Sequence, residues 1–393
     1  MLIRAALLSL ALSSAAAAAS TPLGAGQAVD EAKVDQAIKK GVEFLRTAKS
    51  PDFHNGYKNS DVLILWTFIH AGVPQDDPKF KQLLDGVIGE PLEKTYKVSL
   101  LAMCLEEIDR VKYQEKIAQC AQFLVDNQCK NGQWNYGSPT EFAGQVKVPA
   151  VPKAVASGDG KGAGTTVAKD GKPKVVQQVA VKKMKEGPDA GDNSNSQYAA
   201  LGLRACFDSG VALPEQVIIL AVKWWRESQF KDPKKKDDKT VASAPGISGK
   251  VEGWNYKDET AQPDKAPYHA MTAGGVGALV LYDYMLDRKW KDDSYVKAGM
   301  NWLTVHYNVQ AWNTYYLYGL ERAAILFGTE KIGDHFWYAE GAGNLINAQH
   351  PDGSWGKDTD WFNTTWDTCF SVLFLRRATR ALVISEDRAK LKK

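Results

Sequence analysis

Several things are scarce in this 393-residue chain, and each scarcity excludes something. Charge of one sign is the first. The 49 Lys and Arg stand against 46 Asp and Glu, a formal net charge of +3. So near neutral a balance carries no nucleic-acid signature, and no nucleic-acid partner is expected. Cysteine is scarce too, with five residues: Cys104, Cys120, Cys129, Cys206 and Cys369. No two form a CxxC pair. All but Cys129 fall on apolar helical stretches, so buried thiols are expected. An exported chain permits one disulfide, but its pairing is not readable from spacing. Beyond the N-terminus no apolar run is long enough to span a bilayer. There is no Gly-x-Ser-x-Gly elbow, no His-Glu-x-x-His, and no histidine pair with metal spacing on one helix face, which removes the common hydrolase and metalloprotease readings.

The N-terminus is what a secretion signal looks like. Arg4 supplies the positive start, Ala5 to Leu12 the apolar stretch, and Ala17-Ala18-Ala19 a small-residue cleavage site. Residues 1–19 are therefore expected to be a signal peptide, and the mature chain to be secreted or periplasmic.

What is abundant is a recurring phrase. It ends a helical stretch with Gln and continues to Gly-x-Trp. One copy runs Phe123-Leu124-Val125-Asp126-Asn127-Gln128-Cys129-Lys130-Asn131-Gly132-Gln133-Trp134, and another closes on Gln349, Gly353 and Trp355. A third is split, from Trp224 to Gln229 and then Gly253-Trp254. A phrase returning along a chain signals repeat architecture. These phrases resemble the QW repeats of the squalene and terpene cyclase and protein prenyltransferase superfamily. The resemblance implies that Gln and Trp tie a helix end to the next helix, and that Gly permits the turn. It departs at Asn344, where the leading aromatic is missing, and near Phe44-Leu45, where Lys49 and Tyr57 replace Gln and Trp.

Between these phrases two kinds of segment alternate. Residues 61–71, 95–108, 196–207, 271–286, 314–327 and 365–378 are apolar nearly all round, as buried helices are. Residues 34–47, 78–88, 113–127, 214–229, 293–306 and 335–348 carry apolar residues at helical spacing on one face only. Six alternations predict two concentric rings, an all-α α6–α6 barrel or toroid, and the family resemblance implies the same. The ring is expected over residues 30–382, followed by a charged tail at 383–393. Two polar insertions, 138–191 and 231–250, are expected to be low-complexity and disordered. Both follow an outer helix and precede an inner one, so both are expected to overhang the mouth where the inner helices begin.

That mouth gathers the candidate residues. Asp61, Asp192, Asn193, Asn195, Tyr198, His269, Trp312, Tyr316, Trp366 and Asp367 all lie at inner-helix starts. Helix capping accounts for many of them. It does not account for the density of the cluster from Asp192 to Tyr198, or for the aromatics at Trp312, Tyr315, Tyr316 and Trp366. Amides and carboxylates would hydrogen-bond a ligand and the aromatics would stack on it. Six helix N-termini would favour an anionic group there.

The activities that the resemblance implies lack their residues. Prenyltransferases hold zinc with Asp-x-Cys and a later His. Asp367-Thr368-Cys369 matches the pair, but no His follows, and only His269 from across the ring could serve; no metal or other cofactor is therefore expected. Class II cyclases use Asp-x-Asp-Asp as acid, and Asp358-Thr359-Asp360-Trp361 breaks that pattern. The expectation is an exported binding protein rather than an enzyme. Its partner is expected to be a small molecule, an isoprenoid, a glycan or an envelope protein. The rival is a diverged cyclase or a polysaccharide-degrading enzyme using Asp367 or Asp61 as acid, the latter needing two carboxyls across the scissile bond. An apolar cavity would favour isoprenoid chemistry, a polar mouth glycan, and a filled ring centre a structural role.

Overall fold

The computed structural model describes residues 29–48, 60–148, 168, 172–230, 249–258, 260–261, 265–310, 313–359 and 363–382. Trp312, the glycine string at 158–164 and the proposed signal and tail fall outside these residues.

All twelve expected helices are present. The outer set is α1 (Glu31–Thr47), α3 (Pro78–Gly89), α5 (Gln114–Asp126), α8 (Glu215–Glu227), α10 (Ser294–Val305) and α12 (Trp337–Ala348). The inner set is α2 (Asp61–Ala71), α4 (Thr95–Asp109), α7 (Asn193–Asp208), α9 (His269–Met285), α11 (Thr314–Phe327) and α13 (Thr364–Leu375). A short α6 (Glu141–Gln145), a 3-10 turn at Trp290–Asp292 and a two-residue parallel pair, β1 (Val179–Ala180) with β2 (Val211–Ala212), complete the regular structure among the described residues.

Patterning explains the two rings. Every residue from Val62 to Phe68 of α2, and from Ala270 to Tyr284 of α9, is buried, whereas α8 buries only Val217, Ile218, Ala221, Val222 and Trp225. Each inner helix packs on the next, and α13 packs on α2 and α1, so the first and last pairs close the ring. Side-chain caps set several starts: Asp77 accepts from the Lys79 and Phe80 amides, Asp293 from Tyr295 and Val296, and Asn313 from Tyr316.

The recurring phrase is a clip. Trp134 Nε1 donates to Leu124 O at 2.7 Å, Trp254 Nε1 to Trp225 O at 2.7 Å, and Trp355 Nε1 to Leu345 O at 2.8 Å. Each indole thus ties the loop back onto the outer helix just ended. The Gln reaches forward instead. Gln128 Nε2 donates to Val217 O (2.8 Å), Gln229 Nε2 to Tyr295 O (2.8 Å) and Gln349 Nε2 to Ala37 O (2.9 Å). Each therefore joins one outer helix to the next, and the last joins the chain's end to its beginning.

The insertion at 138–191 differs from expectation. Its first flank descends along α5, with Val146 O accepting from Gln119 and the Val148 amide donating to Glu115. Its second flank climbs back along α5 from Lys172 to Gly191, through Gln114–Gln177, Gln122–Lys182 and Asp126–Met184 contacts. Val179 and Val181 are buried with an exposed residue between them, as a half-buried strand requires. These flanks are not disordered, because alternating valines cover α5 and Lys172 enters a buried carboxylate pair. Lys172 contacts Glu106 and lies 2.8 Å from Glu107, at the C-terminal end of α4. The described residues on either side of 149–171 therefore lie at the face opposite the mouth, not over it as expected. For the second insertion, Phe230 pairs with Gly253 beside the first turn of α9, and Lys250 O accepts from Asn301.

Candidate functional site

The inner-helix N-termini meet at one face, and their contacts assemble the site. Ser194 of α7 hydrogen-bonds Tyr96 of α4 and, at 2.9 Å, Tyr315 of α11. The Trp366 indole of α13 donates to Ser60, the cap of α2. Thr314 of α11 donates to Asp367 of α13 at 2.5 Å, and His269 of α9 sets its ring edgewise to Tyr316.

The cluster from Asp192 begins α7 three residues earlier than its apolar pattern alone indicates, because Asp192 caps it. Asp192 Oδ1 accepts from the Asn195 amide at 2.7 Å, and Oδ2 from the Asn195 side chain at 2.8 Å. Asn193 Oδ1 accepts from the Trp224 indole (2.7 Å) and from Gln133 Nε2 (3.2 Å), and its Nδ2 donates to Asn255 O (2.8 Å). Asn193 and Asn195 are fully buried. Asn193 serves the wall, bonded on every side by the ring itself. Asn195 Oδ1 is buried without a hydrogen-bond partner among the described residues.

Around Asp192 stands a set of tyrosines. Burial raises the Asp192 carboxyl above its ordinary value, opposed by hydrogen bonds from Asn195 and the Tyr256 hydroxyl. Tyr256 also bonds Tyr136. Burial, and then the Asp192 charge, push the Tyr256, Tyr136 and Tyr268 phenols up. Tyr96, Tyr136, Tyr256 and Tyr315 are half-buried, and Tyr268 is exposed. The result is a basin of phenols with one carboxylate beneath.

Tyr136 and Tyr256 are placed by the same local device. Each follows Trp-Asn, and the Asn side chain accepts from the amide of the following Tyr. The signal that could have found them is the continuation of the phrase past Trp: Trp134-Asn135-Tyr136 and Trp254-Asn255-Tyr256. The copy that closes on Trp355 continues as Trp355-Gly356-Lys357, and there Asp367 occupies the space.

The remaining expected residues separate. Asp61 opens α2 and is half-buried at the rim. Asp367 is buried, and burial followed by the charge of Asp358 outweighs the Thr314 bond, raising its carboxyl to about 6. Tyr316 is buried with its hydroxyl unpartnered among the described residues. His269 Nε2 donates to His306 O at 2.6 Å and is packed edgewise on Trp302, and burial lowers its pKa. Cys369 is fully buried, its thiol raised by burial to about 12. Among the described residues no three His, Cys, Asp or Glu side chains converge as metal ligands, so Asp367, Cys369 and His269 do not form one set.

Below the basin the ring axis is filled. Arg322 of α11 lies 4.1 Å over the Tyr318 ring and 5.5 Å over Tyr198, and donates to Gln197 Oε1 at 3.1 Å. The Trp66 indole donates to Tyr318 at 2.9 Å, and Phe370 stacks on Tyr318. Tyr198 therefore belongs to the floor, and the floor is aromatic and cationic rather than aliphatic. Arg322 was not among the expected residues.

No protein-family model matches the chain, and no curated protein matches it in sequence. Among solved structures the chain is similar to the type II terpene cyclase MstE from Scytonema, an arginine-to-alanine variant in complex with geranylgeranyl dihydroxybenzoate as substrate. The identity is 12%, over 88% of this chain and 97% of that one, with a TM-score of 0.49.

Proposed function

We propose that this chain is an exported, non-catalytic toroid that binds a polyhydroxylated, sugar-like ligand at the tyrosine-ringed mouth. The observation that carries the reading is the ring of half-buried phenols around Asp192. Tyrosine offers a flat apolar face for a pyranose ring and a hydroxyl for its substituents, at little side-chain entropy. The filled, polar ring centre speaks against isoprenoid binding, which needs a deep apolar cavity.

The test is calorimetric titration of the mature protein with cellohexaose, chitohexaose and maltohexaose, alongside acidic hexasaccharides. Tyr256→Ala and Tyr268→Ala should weaken binding at least tenfold, the loss expected when a stacking aromatic is removed, with the melting temperature nearly unchanged. Full affinity in both variants would sink the proposal. Replacing Asp192, Asn193 and Asn195 together is not a clean test, since these residues hold the wall.

One observation favours an enzyme instead. Asp367 has a carboxyl raised to about 6 by burial, as a general acid requires. Prolonged incubation with the same oligosaccharides, followed by mass spectrometry of the products, separates the two readings. Cleavage that disappears in Asp367→Asn would establish the enzyme.

A further inference from the structure

We infer that the ligand of this mouth carries an ammonium group, held over the tyrosine basin by the charge of Asp192, so that the sugar it takes is an amino sugar; the inference rests on the sugar-binding reading above. Asp192 is 7% exposed beneath the basin. Its carboxyl is bonded by neutral donors: the Asn195 amide and side chain, the Ser194 amide and the Tyr256 hydroxyl. Such bonds favour the ionised form. Among the described residues no lysine, arginine or histidine pairs with it. Its charge bears on the phenols of Tyr96, Tyr136, Tyr256 and Tyr268, which stand around the basin.

The rings act in the same direction as the carboxylate. The face of an aromatic ring is the negative part of its quadrupole, and it attracts cations. One ammonium already takes such a place, for Lys94 Nζ lies 6.0 Å from the centroid of the Tyr136 ring. The inner-helix N-termini oppose this. Each carries about half a positive charge, felt within its first turn. At α7 that half charge is set against the whole charge of Asp192, which caps the helix, and the first amide of α4 is taken by the Tyr136 carbonyl at 2.6 Å. The basin therefore stays negative. An anionic group, which the helix N-termini alone would favour, is repelled there. An amino sugar places its hydroxyls against the phenol hydroxyls and its ammonium against ring faces backed by a carboxylate.

The probe is a glucosamine hexasaccharide compared with its fully N-acetylated form, on the mature protein by calorimetry. At pH 5.5, where the amines are protonated, the amine form should bind the wild type about tenfold more tightly, as a partly desolvated cation–π contact gives. The preference should fall as salt is raised and disappear at pH 8.5, where the amines are neutral. A galacturonic acid hexasaccharide should bind more weakly than either. Asp192→Asn keeps a capping side chain, and Asn195 Oδ1, buried without a partner among the described residues, can accept from the new amide. In that variant the ratio of the two affinities should fall towards one, whatever loss both sugars share. Equal binding of the two forms by the wild type, a preference that ignores pH, or a ratio unchanged in Asp192→Asn overturns the inference while leaving the sugar reading intact. Binding of none of the hexasaccharides overturns both. If Asp192→Asn does not fold, the wild-type comparison with its pH and salt dependence still decides.

Discussion

Gly356 lies directly against Asp367: a Cβ at Gly356 would stand 1.9 Å from Asp367 Oδ2. Gly356 also has φ +75°, a conformation that side-chain-bearing residues adopt only with strain. This explains why the copy of the repeat that closes on Trp355 has Gly where the others have Asn. Gly356→Ala should force Asp367 off Thr314 and cost about 2 kcal/mol or more, combining backbone strain with the clash. Urea denaturation measures it, and an unchanged midpoint would contradict the close approach.

The indole clips predict a repeating energetic unit. Trp254→Phe keeps most of the ring but leaves Trp225 O without its donor in a fully buried site. The expected loss is about 2–4 kcal/mol from the unmade bond and the cavity together. Trp134→Phe and Trp355→Phe should lose similar amounts, because their indoles make equivalent bonds. Thermal denaturation of the three variants checks this; a loss confined to one position would show that the clips are not equivalent.

Lys172 anchors the segment from 172 to 191. It bridges Glu106 and Glu107, while Arg110 lies 3.7 Å from Glu106 and Arg380 pairs with Glu107. Burial raises Glu106 above its ordinary value; for Glu107 burial acts upward too, but Lys172, His70 and Arg380 outweigh it and hold it lowered. Lys172→Met removes the cation the two carboxylates share, leaving only the longer Arg110 contact and the Arg380 pair, and should cost about 3 kcal/mol, as breaking a buried pair does. Hydrogen exchange should accelerate along 172–191 before it does in the inner ring. Adding Glu106→Gln and Glu107→Gln to Lys172→Met should recover part of the loss.

Glu321 gives the stability a pH dependence. Burial raises its carboxyl from 4.5 to about 7 against the opposing Thr379 bonds. The folded state therefore holds its proton more tightly than the unfolded chain does. The resulting stability is fully present below about pH 4.5 and is lost as pH rises towards 7. The change is on the order of 3 kcal/mol. Glu321→Gln should be less sensitive to pH across that window, measured as urea midpoints from pH 4.5 to 8. A wild-type slope equal to the variant's would rule Glu321 out as its source.

The order of residues along the chain determines much of this molecule. The alternation of all-round apolar and one-faced helices requires two layers, because the first kind must be enclosed and the second must face water on one side. Six alternations then close into a ring. The Gln and Trp of the repeated phrase mark where each outer helix is tied down, and their bonds form at all three copies. Asp192, Asn193 and Asn195 also stand out in the chain as an unusual cluster.

What that cluster does was decided only by the tertiary structure. Helical periodicity says which face of a helix is buried, but not what lies across from it. Asn193 meets the Trp224 indole and Gln133 from other elements, so an apparently ligand-facing amide becomes part of the wall. The valines at 179 and 181 fall in a lysine-rich stretch whose composition reads as unburied, until Glu106 and Glu107 supply the charge that lets Lys172 enter. The axial position of Arg322 depends on several helices meeting around it, a long-range arrangement that no local pattern in the chain specifies.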